Sequence, residues 1–166
     1  MFSLELNAAT ATLEKFVSRK ETHGAERRCA ATLKMSTAQS ADVLAHFHPD
    51  LKDKMFKVGS PDLLGDRAMV KRDPNCVYPE ARDEEMFGAE MRIAYGVGPA
   101  LVFPDCALTD FRLTPMDGGT VVIVFNVHTL CDEVMGGKLH VLNEEGITLT
   151  IEPAEYSETL NAALKH

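Results

Sequence analysis

The 166-residue sequence predicts a mainly β protein of α+β type, either an antiparallel β-sandwich or a small Greek-key or OB-like barrel, with a helical insertion at about 38–56. Three observations predict it. Apolar residues recur at period two in most segments, the mark of strands with one buried face. A turn signal, PMDGG at 115–119, falls between two such segments. Strand patterns do not alternate regularly with helical ones, so a doubly wound parallel sheet is not expected.

The chain opens with Phe2, Leu4 and Leu6 on one face and Ser3, Glu5 and Asn7 on the other, a half-buried strand. Residues 10–18 alternate less regularly but are rich in Thr, Val and Phe, which makes a second strand or a continuation of the first. RKETHGAERR reads as a polar connection, and Cys29, Ala31, Leu33 and Met35 as the next strand. After Ser36 the period changes. Val43, Leu44, Phe47, Leu51, Met55 and Phe56 keep spacings that predict helix, with Thr37 and Ser40 as candidate N-caps.

Residues 57–89 carry three prolines, three glycines and no sustained period. They are expected to form a long irregular insertion within a single domain spanning 1–166, with a short element around Leu63 to Val70. Met91, Ile93 and Tyr95 then alternate, and GVGP turns the chain into the apolar run ALVF. CALTDFRLT and TVVIVFNVH form a hairpin around PMDGG; the second is all apolar from Val121 to Phe125, which predicts a central strand buried on both faces. TLCDEVMGGKLHVLNEE holds a short helix ended by Gly136 and Gly137, GITLTIEP is a final strand, and Leu160 and Leu164 mark a terminal helix.

With 45% apolar and 25% charged residues, the composition is that of a soluble globular chain. No apolar run approaches the roughly 20 residues of a membrane helix. MFSLELNAAT has neither a basic n-region nor an apolar h-region, so a cytoplasmic location is expected. Cys29, Cys76, Cys106 and Cys131 form no C-x-x-C pair, and reduced thiols follow from that location. The net charge of −8 is uneven: residues 1–72 hold 12 Lys/Arg against 9 Asp/Glu, and residues 73–166 hold 5 against 16. A uniformly basic nucleic-acid groove is excluded, while a local basic face in the first half is not.

The most chemical-looking stretch is HFHPD at 46–50. Two histidines at H-x-H share a face on a strand but stand about 200° apart on a helix, and the spacing of Leu44, Phe47 and Leu51 is helical. One helix is therefore expected to end near Phe47 and another to begin at Pro49, with no metal site. HTLCDE at 128–133 offers a Cys–His pair for a thiolate nucleophile, set against a plain strand end with Asp132 as N-cap. GVGPA enters a strand and lacks a third glycine, so it is no phosphate cradle. No G-x-S-x-G, Walker A or H-E-x-x-H pattern occurs. A non-catalytic protein without cofactor is the expectation.

Binding is the larger prospect. Single-stranded nucleic acid requires stacking aromatics beside a basic groove. The candidates are Phe16, Arg19, Lys20, Arg27, Arg28, Lys34, Lys52 and Lys54, with Phe16 as the stacking ring; the plain alternative is that these charges only solubilise the surface. For a protein partner the candidates are the acidic Asp83, Glu84, Glu85, Asp132 and Glu133.

The layout of RKETHGAERRCAATLKM, ADVLAHFHPDLKDKMF, GPALVFPDCALTDFRLTPMDGGTVVIVFNV and GKLHVLNEEGITLTIEP resembles that of an uncharacterised family of bacteriophage and prophage proteins often encoded near recombination genes. The resemblance spans most of the chain and carries no active-site residues across. It implies a phage setting in host cytoplasm and a binding role in DNA recombination or replication, toward single-stranded DNA or an annealing recombinase. The alternatives are an inhibitor of a host defence system, anti-CRISPR-like or DNA-mimicking, and a virion or assembly component. A homo-oligomer is open through exposed strand edges.

Overall fold

The computed structural model of the chain describes residues 2–23, 26–72, 83–96 and 98–154, with the side chains of residues 21–27 outside the description. Six antiparallel strands close into a barrel in the order β1 (Leu6–His23), β2 (Glu26–Ser40), β7 (Thr120–Cys131), β6 (Leu101–Met116), β5 (Met86–Ala94) and β8 (Gly146–Glu152), which returns to β1. β5, β6 and β7 follow one another, and β8 comes back beside β5, which is a Greek key. A second, two-stranded sheet pairs β3 (Phe56–Pro61) with β4 (Arg67–Lys71). Of the two expected architectures the barrel is the one formed, and its six strands exceed the five of an oligonucleotide-binding fold by one.

Period-two patterning builds the interior. Leu33, Met35, Ile123, Phe125, Val127, Met91, Ile93 and Leu149 are all fully buried and fill the barrel. The outward residues Val122 and Val124 are half-buried, so β7 is buried completely on one face only: a barrel has no second layer outside it. Phe2 and Leu4 are buried although the strand begins only at Leu6. The Phe2 ring lies 4.8 Å from Phe47 and 5.0 Å from Phe111, and Phe111 stacks on Phe125 at 5.5 Å, plugging one end of the barrel. β1 is one continuous strand with a register shift between Leu13 and Lys15, which explains its broken alternation. RKETHGAERR is not merely a connection, since β1 runs to His23 and β2 starts at Glu26.

The helical insertion is later and shorter than expected. β2 continues through Ser40, and buried Thr37 is no cap: its hydroxyl donates to the Thr10 carbonyl at 2.8 Å. Ser40 does cap a 3-10 helix at Ala41–His46, and α1 follows at Leu51–Met55. The first element ends at Phe47 as expected, but the second begins at Leu51 behind Asp50, two residues later than the expected start at Pro49; Leu44, Phe47 and Leu51 are buried on the inner side of the break. Part of the stretch expected to be irregular is the β3–β4 hairpin, fastened to the β6–β7 turn by the Gly118 amide donating to the Met69 carbonyl at 2.8 Å. α2 (Glu133–Leu142) runs straight through Gly136 and Gly137 instead of ending there, because the Asp132 side chain caps it and Leu139 anchors it in the core. It packs on β1 and β2 at the barrel end where β7 finishes. The terminal helix at Leu160 and Leu164 and Cys76 lie outside the described residues.

Candidate functional site

The β6–β7 ladder stops at the pair Ala107–His128, while the β2–β7 ladder continues to Cys29–Cys131. Beyond that row β6 stays with β5, through Phe103–Met91 and Leu101–Ile93. The two strands part, and a groove of about 840 Å³ opens on the outer face between β1, β2 and β7 on one side and β5 and β6 on the other. Pro104, which has no N–H for a ladder, lies at the parting. The Thr129 hydroxyl donates to the Asp105 carbonyl at 3.2 Å and pins its floor.

Directly opposed residues share a face, so the register assigns the walls. Phe16, Leu33, Val127 and Leu108 form an inward row. The neighbouring rows therefore point outward: Val17, Thr32, His128 and Ala107 in one, Arg19, Ala30 and Leu130 in the next. Arg28 joins Arg19 at the groove, and each also engages a neighbouring group. Opposite them stands Phe87 of β5, 65% exposed. On the other side of the histidine row Lys15 faces Lys34.

His128 is held by both ring nitrogens. Nδ1 lies 3.1 Å from the Thr32 hydroxyl and Nε2 3.1 Å from that of Thr109. The Asp110 carboxylate accepts from Asn126 at 3.0 Å, and its backbone at φ 56 marks the irregularity between Thr109 and Arg112. This polar strip crosses three strands beside an apolar floor of Val17, Ala30 and Leu130. It offers hydrogen-bonding groups, a ring edge and flanking cations.

The predicted basic set is only partly brought together. Arg19 and Arg28 line the groove and Lys34 sits just beyond it. Phe16 does not stack there: it points inward and packs against the core, because the shift at Leu13/Lys15 puts it in the Leu33 row. Lys20 pairs with Cys29, one row on from Arg19 and therefore on the opposite face. The Arg27 side chain lies outside the described residues. Lys52 and Lys54 belong to α1, away from the groove, and Lys52 bonds Asp42 at 2.7 Å, which holds that carboxyl below its usual range. Phe87, the ring that does line the groove, was hidden in the stretch without period.

The acidic candidates form two places. Asp83, Glu84 and Glu85 precede β5, whose first residue Met86 lies in the row of Leu108 and Val127. Asp132 and Glu133 lie at the start of α2, about 17 Å further along β7. Asp132 is the expected N-cap, its carboxylate accepting from the Met135 amide at 2.7 Å. His128 and Cys131 project to opposite faces of β7, so they form no nucleophilic pair. Burial pushes the Cys106 thiol up to about 11 and raises that of Cys131, the reverse of thiolate activation. His48 accepts from the Asp50 amide at 3.2 Å, a local role at the helix junction. Among the described residues, no three His, Cys, Asp or Glu side chains gather as metal ligands, and no helix is long and apolar enough to cross a membrane. No protein-family model matches the chain, and neither the curated proteins nor the solved structures contain a match to it.

Proposed function

We propose that the protein is a non-catalytic binding module that takes single-stranded DNA in the β6–β7 groove, as an accessory of phage DNA recombination or replication. The observation that carries this reading is the meeting of Arg19, Arg28 and the exposed Phe87 ring in one concave outer surface. An aromatic face accepts any base by stacking, and arginines take the phosphates that flank it. The Thr32–His128–Thr109 strip supplies hydrogen bonds to base edges. The net charge of −8 opposes a long polyanion, so a short stretch held locally fits better than a wrapped strand. The phage setting comes from the resemblance of layout. The inhibitor reading is weaker here because its acidic residues are divided between two places.

The test is fluorescence polarisation of a labelled single-stranded oligonucleotide titrated with the protein. Saturable binding at low salt that fades as salt rises is expected. A flat titration at low salt rules out direct DNA binding and leaves the recombinase as partner, to be tested by co-purification.

A further inference from the structure

Two apolar features lie at opposite ends of the barrel, and among the described residues neither is covered. The first is the tip of the β3–β4 hairpin, where Leu63 and Leu64 are 106% and 87% exposed. The tip is built to hold them out. The Asp62 carboxylate accepts from the Leu64 and Asp66 amides at 2.8 and 2.9 Å, and the Asp62 amide donates to the Asp66 carbonyl at 2.8 Å. Gly65 supplies the positive φ of 84° that closes the turn. Adjacent leucines on a braced turn are an apolar knob, a costly thing to leave in water.

The second is a shallow groove of about 400 Å³ on the outer side of α2, walled by Tyr95, Val134, Val141 and Leu142. Val134 and Val141 are 67% and 77% exposed, and among the described residues nothing beyond the helix's own backbone stands within 4 Å of where a Gly137 side chain would begin. The groove is open and apolar at its floor, with Lys138 and Glu133 at its rim. The knob carries Asp62 and Asp66, with Arg67 beside them, all exposed. The charges are therefore complementary in both senses: carboxylates for Lys138 and a guanidinium for Glu133.

The hairpin is rooted at the β6–β7 turn, where β7 begins, and α2 starts where β7 ends. The exposure of Leu63 and Leu64 at the tip and of Val134 and Val141 in the groove shows that the tip does not occupy the groove of its own chain. We propose that the Leu63–Leu64 knob docks in the α2 groove of a second copy of this chain. Such a contact joins unlike surfaces and repeats head to tail, giving a ring if the rotation closes and a filament if it does not. The contact is small, so association is weak and grows with concentration.

Sedimentation equilibrium of the full chain up to about 500 µM tests this, a range suited to weak contacts. The average mass is expected to rise with concentration past that of a dimer. Leu64→Asp, which spoils the knob, and Val141→Asp, which spoils the groove, are each expected to be monomeric. Mixed in equal amounts they should form a one-to-one dimer and stop there, because one intact knob and one intact groove remain. Val134→Asp replaces Val141→Asp if the latter fails to give a native circular dichroism spectrum. A wild-type chain monomeric throughout overturns the proposal, and so does undiminished association of Leu64→Asp. Failure of the mixture to pair also overturns it, since that result belongs to a contact between like surfaces.

Discussion

Lys15 and Lys34 stand directly opposite each other across the β1–β2 ladder, both outward and exposed. Like charges at directly opposed positions destabilise a sheet, and a binding surface for an anion is a reason to keep them. Lys34→Glu is expected to raise the melting temperature by about 1–3 °C while weakening oligonucleotide binding. Thermal unfolding and polarisation measured on the same variant check the two effects together. A variant that gains stability and loses no affinity removes this row from the interface.

Phe87 is expected to carry the stacking. Phe87→Ala should lower oligonucleotide affinity about 5- to 150-fold. Because the ring is 65% exposed, the melting temperature should move by only about 2 °C. Phe16→Ala is expected to do the opposite, costing stability with affinity retained, since that ring packs inward.

The arginines make a prediction about salt. Each phosphate contact to a single strand contributes about 0.7 to the slope of log affinity against log salt. Arg19→Gln and Arg28→Gln should each flatten that slope by about this amount, and Lys54→Gln on α1 should leave it unchanged. Titrations at four or more salt concentrations distinguish the cases.

The barrel was legible in the residues that face inward and the groove was not, for a physical reason. Cys29 to Met35 and Met91 to Ala94 alternate because one side of each strand meets the core, whereas Val121 to Phe125, apolar throughout, reads as buried on both faces although only one face is. Where the backbone departs from regular pairing, as at Leu13/Lys15 and at Asp110, the period breaks and the face of each residue cannot be counted. That is how Phe16 came to be assigned to the outside. The β3–β4 hairpin has little buried surface and so no period to read. α2 crosses two glycines because burial of Leu139 outweighs local propensity. The groove arises where two strands separate, a property of pairing at a distance; only Pro104 hints at it locally.

Cys106 contributes a loss of stability at alkaline pH. Its thiol is pushed from an ordinary 9.0 to about 11, chiefly by burial, so the folded chain holds the proton that the unfolded chain releases. Stability is therefore complete below about pH 9 and is lost progressively as pH rises through 11, by at most about 3 kcal/mol. Urea midpoints between pH 8 and 11 should show this fall. Cys106→Ala should be less stable at neutral pH and show a shallower decline.

Phe111 joins the two halves of the plug at the other end of the barrel. It lies 5.0 Å from Phe2, 5.3 Å from Phe47 and 5.5 Å from Phe125, and is 1% exposed. Phe111→Ala removes a ring from a filled interior and is expected to cost about 3–5 kcal/mol. Phe2 precedes the first strand, so its hold on the barrel is through these rings and the neighbouring Leu4. The two changes should therefore be non-additive: once Phe111 is gone, Phe2→Ala should cost about 0.5–1.5 kcal/mol less than in the intact chain. A double-mutant cycle in urea measures this coupling. Strict additivity would place the Phe2 ring outside the plug.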